Sequence, residues 1–198
     1  MEVAGLLLTG GASRRMGADK AALPAPGGAT ATLAQRTGAL LGAVCAAVLE
    51  VGPGFSGLPA VADDRPGAGP LAALATGYRA LSEAGWEGPS LVVATDLPGL
   101  DTATLRWLAD HPAPGSVVPV AAGRPQPLCA RWSGDHLALA ARLVAAGRRA
   151  VADLVAEARP HLVALGDPGC PAPAVVADAD TPEDAHRLGV ALPARWSP

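Results

Sequence analysis

Aromatic residues are nearly absent from this sequence: four tryptophans, one tyrosine and one phenylalanine among 198 residues. The core must therefore be filled by leucine, valine and alanine. Cysteine is scarce as well. Cys45, Cys129 and Cys170 stand far apart and form no C-x-x-C pair, which argues against a zinc site or a disulfide framework and for free thiols in a reducing compartment. No apolar run approaches the ~20 residues that a membrane helix needs. The opening MEVAGLLLTGG has no basic segment before its short apolar run, so no signal peptide is expected. Positive charge is not in excess either: the formal net charge is −3, so a polyanion such as nucleic acid is not an expected partner. The expectation is a cytoplasmic protein that engages neither membrane nor nucleic acid.

Half of the residues are hydrophobic and 17% are charged, a balance that folds around a core rather than staying disordered. The length suits one domain over 1–198. The 24 glycines and 20 prolines fall between apolar segments and read as loop chemistry. Strand-like runs alternate with helix-like ones. VAGLLLTGG, AAVLEVGPG, PAVADD, SLVVATDLPGL, GSVVPVA, PLCARWS, HLVALG and PAVVADAD read as strands. A helix is expected after Thr30 or Thr32, and Leu71, Leu74, Tyr78 and Leu81 share one face of another. Asp101 is a candidate helix cap, as is Thr181, which is followed by Pro182 at the first helical position. This alternation predicts an α/β fold: a Rossmann-like three-layer sandwich with a mainly parallel central sheet. Ligands in such sheets bind at the edge formed by the C-terminal ends of the strands. Gly10, Gly11, Asp63, Asp64, Asp96, Asp178 and Asp180 all follow predicted strands directly.

The stretch LLLTGGASRRMGADK carries the strongest chemical signal. It is not G-x-x-x-x-G-K-[ST], because Lys20 is followed by Ala21. Nor is it G-x-G-x-x-G, because Gly10 and Gly11 are adjacent. Gly10 and Gly11 let the backbone come close to a ligand and aim N–H groups at phosphate oxygens. Arg15 and Lys20 then supply a planar fork and a point charge. Such a clamp suits a triphosphate that loses pyrophosphate, where charge builds on the leaving group.

Leu8, Gly10, Gly11, Ser13, Arg15, Met16, Gly17, Asp19 and Lys20 together resemble the signature loop L-x-G-G-x-S-x-R-M-G-x-D-K of the molybdenum cofactor nucleotidyltransferases. The Gly-Gly form is closer to their guanylyltransferase branch than to the cytidylyltransferase one. Thr9 stands where that family usually has alanine. DDRPGAGPLAAL, VVATDLPGL, GRPQPLCARW, AAGRRAVADLV and DADTPEDA resemble further family segments, in family order and over nearly the full length. The fold implied is that of the nucleotide-diphospho-sugar transferases.

The resemblance also implies roles. Lys20, Arg15 and Asp96 would be catalytic. Leu8, Thr9, Gly10, Gly11, Lys20, Asp64, Gly69, Pro70 and Asp96 would bind the nucleotide, with Asp63 as the alternative to Asp64. Asp96 would hold Mg2+, joined by Asp180 unless that residue serves only to cap the helix that follows it. Arg148 and Arg149 are either contacts for a pterin phosphate or a solvated helix start. The family often carries an asparagine just after the second strand. Here that place falls near Val51 and offers no amide. The implied reaction moves GMP from Mg·GTP to a molybdopterin-type cofactor, with molybdoenzyme assembly factors as further partners. The alternatives are a related cytidylyltransferase, a sugar-phosphate or alcohol-phosphate nucleotidyltransferase, or a non-catalytic nucleotide-binding protein of the same fold.

Overall fold

A computed structural model of the chain describes residues 1–10, 19–27, 30–65 and 67–192. Its centre is an eight-stranded sheet. The strands are β1 (Ala4–Leu8), β2 (Ala47–Val51), β3 (Ala60–Val61), β4 (Ser90–Ala94), β5 (Val117–Ala121), β6 (Arg124–Pro125), β7 (Cys129–Trp132) and β8 (His161–Ala164). They lie in the order β3-β2-β1-β4-β7-β5-β6, and β8 pairs with β5. β1, β2, β3 and β4 are mutually parallel, with Leu8 level with Val51 on one side and Ala94 on the other. β8 is parallel to β5, whereas β7 runs antiparallel to both β4 and β5. The expected mainly parallel sheet is therefore present around β1, the strand that Thr9 and Gly10 follow. The antiparallel part arises because β5 turns back at Ala122 and Gly123, both at positive φ, into the short β6. Two such residues make the tight primed turn that hairpins favour.

The described residues form six α-helices: α1 (Leu33–Gly42), α2 (Pro70–Glu83), α3 (Thr102–Asp110), α4 (Gly134–Ala145), α5 (Val151–Ala158) and α6 (Pro182–Arg187). Successive strand residues face opposite sides, and the two cores divide accordingly. Leu6, Leu8, Val92 and Trp132 pack with Leu71 and Leu74 of α2 and Leu137 of α4. Leu7, Leu91, Val93 and Cys129 pack with Leu41 of α1 and Leu105 and Leu108 of α3. This is the three-layer arrangement expected. Each fully buried leucine in it contributes about 2 kcal/mol by burial. α2 lies especially close to the sheet, since a Cβ on Gly77 would stand 2.8 Å from both Leu6 Cδ2 and Val51 Cγ2.

Local signals set the helix starts. Thr32, not Thr30, caps α1 through a reciprocal pair with Gln35. The Asp101 side chain accepts from Thr104 N at 2.7 Å to cap α3. Thr181 caps α6, with Pro182 in its first turn and Asp184 closing the box. One expectation fails. PAVVADAD is not a strand: Pro173–Val176 forms a 3-10 turn. Pro173 has a fixed φ and no N–H to give a ladder. The segment crosses instead over the turn that follows β4, where a Cβ on Gly99 would lie 2.9 Å from the Ala174 carbonyl.

Candidate functional site

β1 and β4 are neighbours, so their C-terminal ends deliver Thr9–Gly10 and Thr95–Asp96 to the same edge of the sheet. A crevice of about 240 Å3 opens there, walled by Leu8, Thr9, Gly10, Asp19, Lys20, Pro70, Thr95 and Asp96. Lys20 enters on a 3-10 turn, Lys20–Ala22, whose start is capped by Asp19 accepting from Ala21 N at 3.1 Å. Pro70 and Ala73 come from the first turn of α2, whose N-cap is Gly69. Gly69 has φ +96°, and a Cβ there would meet the Arg149 carbonyl at 3.1 Å. α2 thus starts without a side-chain cap, which leaves the positive end of its dipole turned to whatever approaches.

Lys20 ties the site together. Its Nζ lies 3.4 Å from Asp96 Oδ2 and 2.5 Å from Asp180 Oδ1. Asp180 reaches this point because the segment before α6 is fastened to the end of β4 by Ala179 N donating to the Asp96 carbonyl at 2.9 Å. Asp180 is thus more than a prelude to the Thr181 cap. Two carboxylates face one cation, and their proximity has a cost. Burial pushes the Asp96 carboxyl above the ordinary aspartate range, Lys20 pulls it back, and the Asp180 charge adds to the rise. Burial also raises the Asp19 carboxyl, against its bond from Ala21 N, and the nearby Glu50 charge raises it further.

Not every expected residue meets at this edge. Gly11 and Arg15 lie outside the described residues. Asp64 does not line the crevice: it accepts from Arg79 Nη2 at 2.7 Å and from Thr76 Oγ1 at 3.3 Å. It faces instead a hollow of about 450 Å3 between α2 and α4, floored by alanines. The physical reason is the guanidinium on the outer face of α2, which offers an exposed carboxylate a charged partner. Asp63 is occupied closer to home, accepting from Arg65 N at 3.0 Å. Arg148 gives its fork to Asp153 in the first turn of α5, with Nε 3.0 Å from Oδ2, which favours the helix-start reading of that arginine.

Reading the residues alone missed Glu50. This side chain is fully buried in β2. Its Oε1 accepts from Thr9 Oγ1 at 2.5 Å and from Gly54 N and Phe55 N, both at 2.8 Å. Its Oε2 accepts from Ser56 N at 2.8 Å and from the Ser56 hydroxyl. Burial alone would raise this carboxyl, but the Ser56 and Thr9 hydroxyls and the loop amides outweigh it and hold it below the usual glutamate value. The available signal was a lone acidic residue inside an apolar strand, directly followed by Gly-Pro-Gly-Phe-Ser. At the place where the family asparagine was expected, Val51 is buried in the core and no amide side chain stands there.

Gly52 shows how tightly the two loops are stacked. It has φ +150°, and a Cβ on it would lie 2.1 Å from Thr9 Oγ1 and 3.0 Å from Gly10 N. A Gly52→Ala substitution should therefore displace the floor of the crevice. The expected result is a stability loss of roughly 1–3 kcal/mol, read by thermal unfolding, together with weakened nucleotide binding in calorimetry. Unchanged nucleotide affinity would show that the stacking does not matter to the site.

Residues 5–163 match the family model described as the MobA-like NTP transferase domain. A protein of Mycobacterium tuberculosis H37Rv named "Probable molybdenum cofactor guanylyltransferase" is 39% identical over 160 residues, covering 77% of this chain and 79% of that one. Among solved structures, the molybdopterin-guanine dinucleotide biosynthesis protein A of Archaeoglobus fulgidus superposes with a TM-score of 0.70 at 18% identity, covering 94% of this chain and 97% of that chain. A Mycobacterium tuberculosis protein solved in complex with manganese superposes with a TM-score of 0.63 at 20% identity, covering 96% and 98%. At those identities the two superpositions establish the fold alone. Asp180 lies beyond the matched span and is joined to it in space through Lys20.

Proposed function

The chain belongs to the MobA-like NTP transferase family, and we propose that it transfers GMP from Mg·GTP to the phosphate of a molybdopterin-type cofactor, releasing pyrophosphate. The observation that carries this reading is Lys20 set between Asp96 and Asp180 at the strand edge, next to the Thr9–Gly10 turn. The 39% identity to a protein named for molybdenum cofactor guanylyl transfer supports the acceptor and the base.

The attacking oxygen belongs to the acceptor phosphate and is already anionic. It forms a bond to the α-phosphorus while the bond from that phosphorus to the α–β bridging oxygen breaks, and pyrophosphate leaves with the electron pair. No strong general base is required, so positioning and charge neutralisation carry the rate. Leu8, Thr9 and Gly10 present backbone to the phosphates; to Gly11, outside the described residues, we assign a further backbone contact, and to Arg15, also outside them, the neutralisation of charge on the leaving pyrophosphate. Gly69 and Pro70 shape the nucleoside end. Lys20 moves its charge from the two aspartates to the phosphates as they arrive. Asp64 has to leave its ion pair with Arg79 to take part.

The donor set fits a hard divalent cation. Asp96 and Asp180 offer oxygens to a single point already held by a positive charge. Among the described residues no group of three or more metal-ligating side chains occurs, as suits an ion held jointly by one or two carboxylates and by phosphate. When bound, magnesium would neutralise phosphate charge along the path of transfer.

We place the reaction in the cytoplasm, where Cys45, Cys129 and Cys170 remain the free thiols seen here. No described helix is long and apolar enough to cross a membrane. Molybdoenzyme assembly factors are the natural recipients of the product. A calorimetric panel of GTP, CTP, ATP and UTP with Mg2+ tests the assignment. GTP should bind at least tenfold tighter than CTP. The reverse order would move the protein to cytidylyl transfer.

A further inference from the structure

Glu50 has no part in the chemistry above, yet it is the most heavily hydrogen-bonded buried carboxylate among the described residues, with five donors on two oxygens. The donors come from two places. Four belong to the loop that leaves β2, at Gly54, Phe55 and Ser56. The fifth is the hydroxyl of Thr9, which walls the crevice. The same two segments meet again where Thr9 N donates to the Val51 carbonyl at 3.1 Å and where Gly52 presses on Thr9 and Gly10. A second loop bond runs from Leu58 N to Ser56 Oγ at 3.2 Å, so the hydroxyl held by Glu50 fixes the next turn as well.

We infer that Glu50 is a positioning residue for nucleoside triphosphate binding: it clamps the loop after β2 to Thr9, so that the Thr9–Gly10 backbone is held in place to meet the phosphates. This rests on the nucleotide-binding reading of the crevice. Glu50 touches no substrate and acts through Thr9. Backbone amides, which can only donate, stand at both of its oxygens, Gly54 N and Phe55 N at one and Ser56 N at the other, so only an ionised, acceptor-only side chain satisfies them all. In either orientation a glutamine would turn its NH2 group toward at least one loop amide, which has nothing to accept with. The low carboxyl range in which Glu50 is held agrees with this need. The same clamp accounts for Thr9 where the family usually has alanine, because an alanine would leave Glu50 one donor short.

The test compares wild type, Glu50→Gln and Ser56→Ala as full chains, with Mg·GTP and Mg·CTP as probes. Nucleotide Kd is read by calorimetry, KM for nucleotide and for acceptor are read separately, and Tm is recorded in parallel. The expected result for Glu50→Gln is a nucleotide Kd and KM at least tenfold higher, with the acceptor KM within twofold. Ser56→Ala, which keeps four of the five bonds, should raise the same nucleotide constants about threefold. A purely structural Glu50 would lower Tm and the active fraction and leave nucleotide Kd unchanged. That outcome overturns the inference. Should Glu50→Gln fail to fold, Ser56→Ala decides by the same criterion, and nucleotide constants equal to wild type overturn the inference. A wild type that binds CTP and not GTP overturns the guanylyl assignment, and the Glu50 inference is then read on CTP. A wild type that binds neither nucleotide overturns both.

Discussion

Asp96→Asn and Lys20→Met should each abolish nucleotidyl transfer, lowering kcat/KM by roughly 10²–10³-fold or more, while the protein stays folded. For Asp96 the second half of this prediction is the sharper. Burial and the Asp180 charge raise the Asp96 carboxyl despite Lys20, so the fold disfavours its ionised form. The sign follows directly. A carboxyl raised in the folded state favours the fold below its unfolded value, and that contribution is lost as pH rises through the folded value. At neutral pH the ionised Asp96 therefore weighs against folding, and Asn relieves it. Tm of Asp96→Asn should equal or exceed that of wild type at pH 7, with the difference closing as pH falls through the raised folded value toward about 4. Steady-state kinetics and thermal unfolding across pH check both halves. Near-normal turnover in either variant would remove the residue from the mechanism. A large fall in Tm for Asp96→Asn would show that the Lys20 pair stabilises the fold rather than serving the reaction.

Arg131→Met should cost the fold about 3–5 kcal/mol with little change in chemistry at low temperature. Arg131 is fully buried in β7. Its guanidinium donates to the carbonyls of Ala109 at 3.0 Å and His111 at 2.9 Å, and also to those of Leu108, Ala113 and Gly115. These include the last carbonyls of α3, which have no partner within the helix. A cation there also meets the negative end of the helix dipole. Methionine keeps the stem and removes every donor, so several buried acceptors lose their bonds at about 1–3 kcal/mol each. For a chain of this length the fall in Tm should be on the order of 10 °C. Arg131→Lys should fall between the two, because one ammonium cannot span a fork of five acceptors. A Met variant that melts within 2–3 °C of wild type would mean that the α3 carbonyls find other partners.

The two predictions differ in how far the sequence led to them. Asp96 was visible as the polar residue ending an apolar strand, and Lys20 as the cation closing a glycine loop. Arg131 and Glu50 were not visible. Each is a single charge inside a strand-like run, and a run of that kind says only that the flanking residues are buried. What such a charge bonds to depends on which helix or loop packs over it. Asp64 was visible too, but its partner was not: Arg79, fifteen residues on and on the outer face of α2, donates to its carboxylate.

By itself the sequence determined the features whose physics is local. The alternation of strands and helices and the caps at Asp101 and Thr181 rest on hydrogen bonds and periodicities spanning three or four residues. The tertiary structure alone decided that Lys20 meets Asp96 across 76 residues and Asp180 across 160. It also decided that PAVV winds into a 3-10 turn instead of joining the sheet, and that Glu50 binds two loops into one floor. Those outcomes depend on strand order, on which edge each crossover reaches and on which buried donors need an acceptor. No short window of sequence contains that information, because it exists only once separate segments are packed against each other.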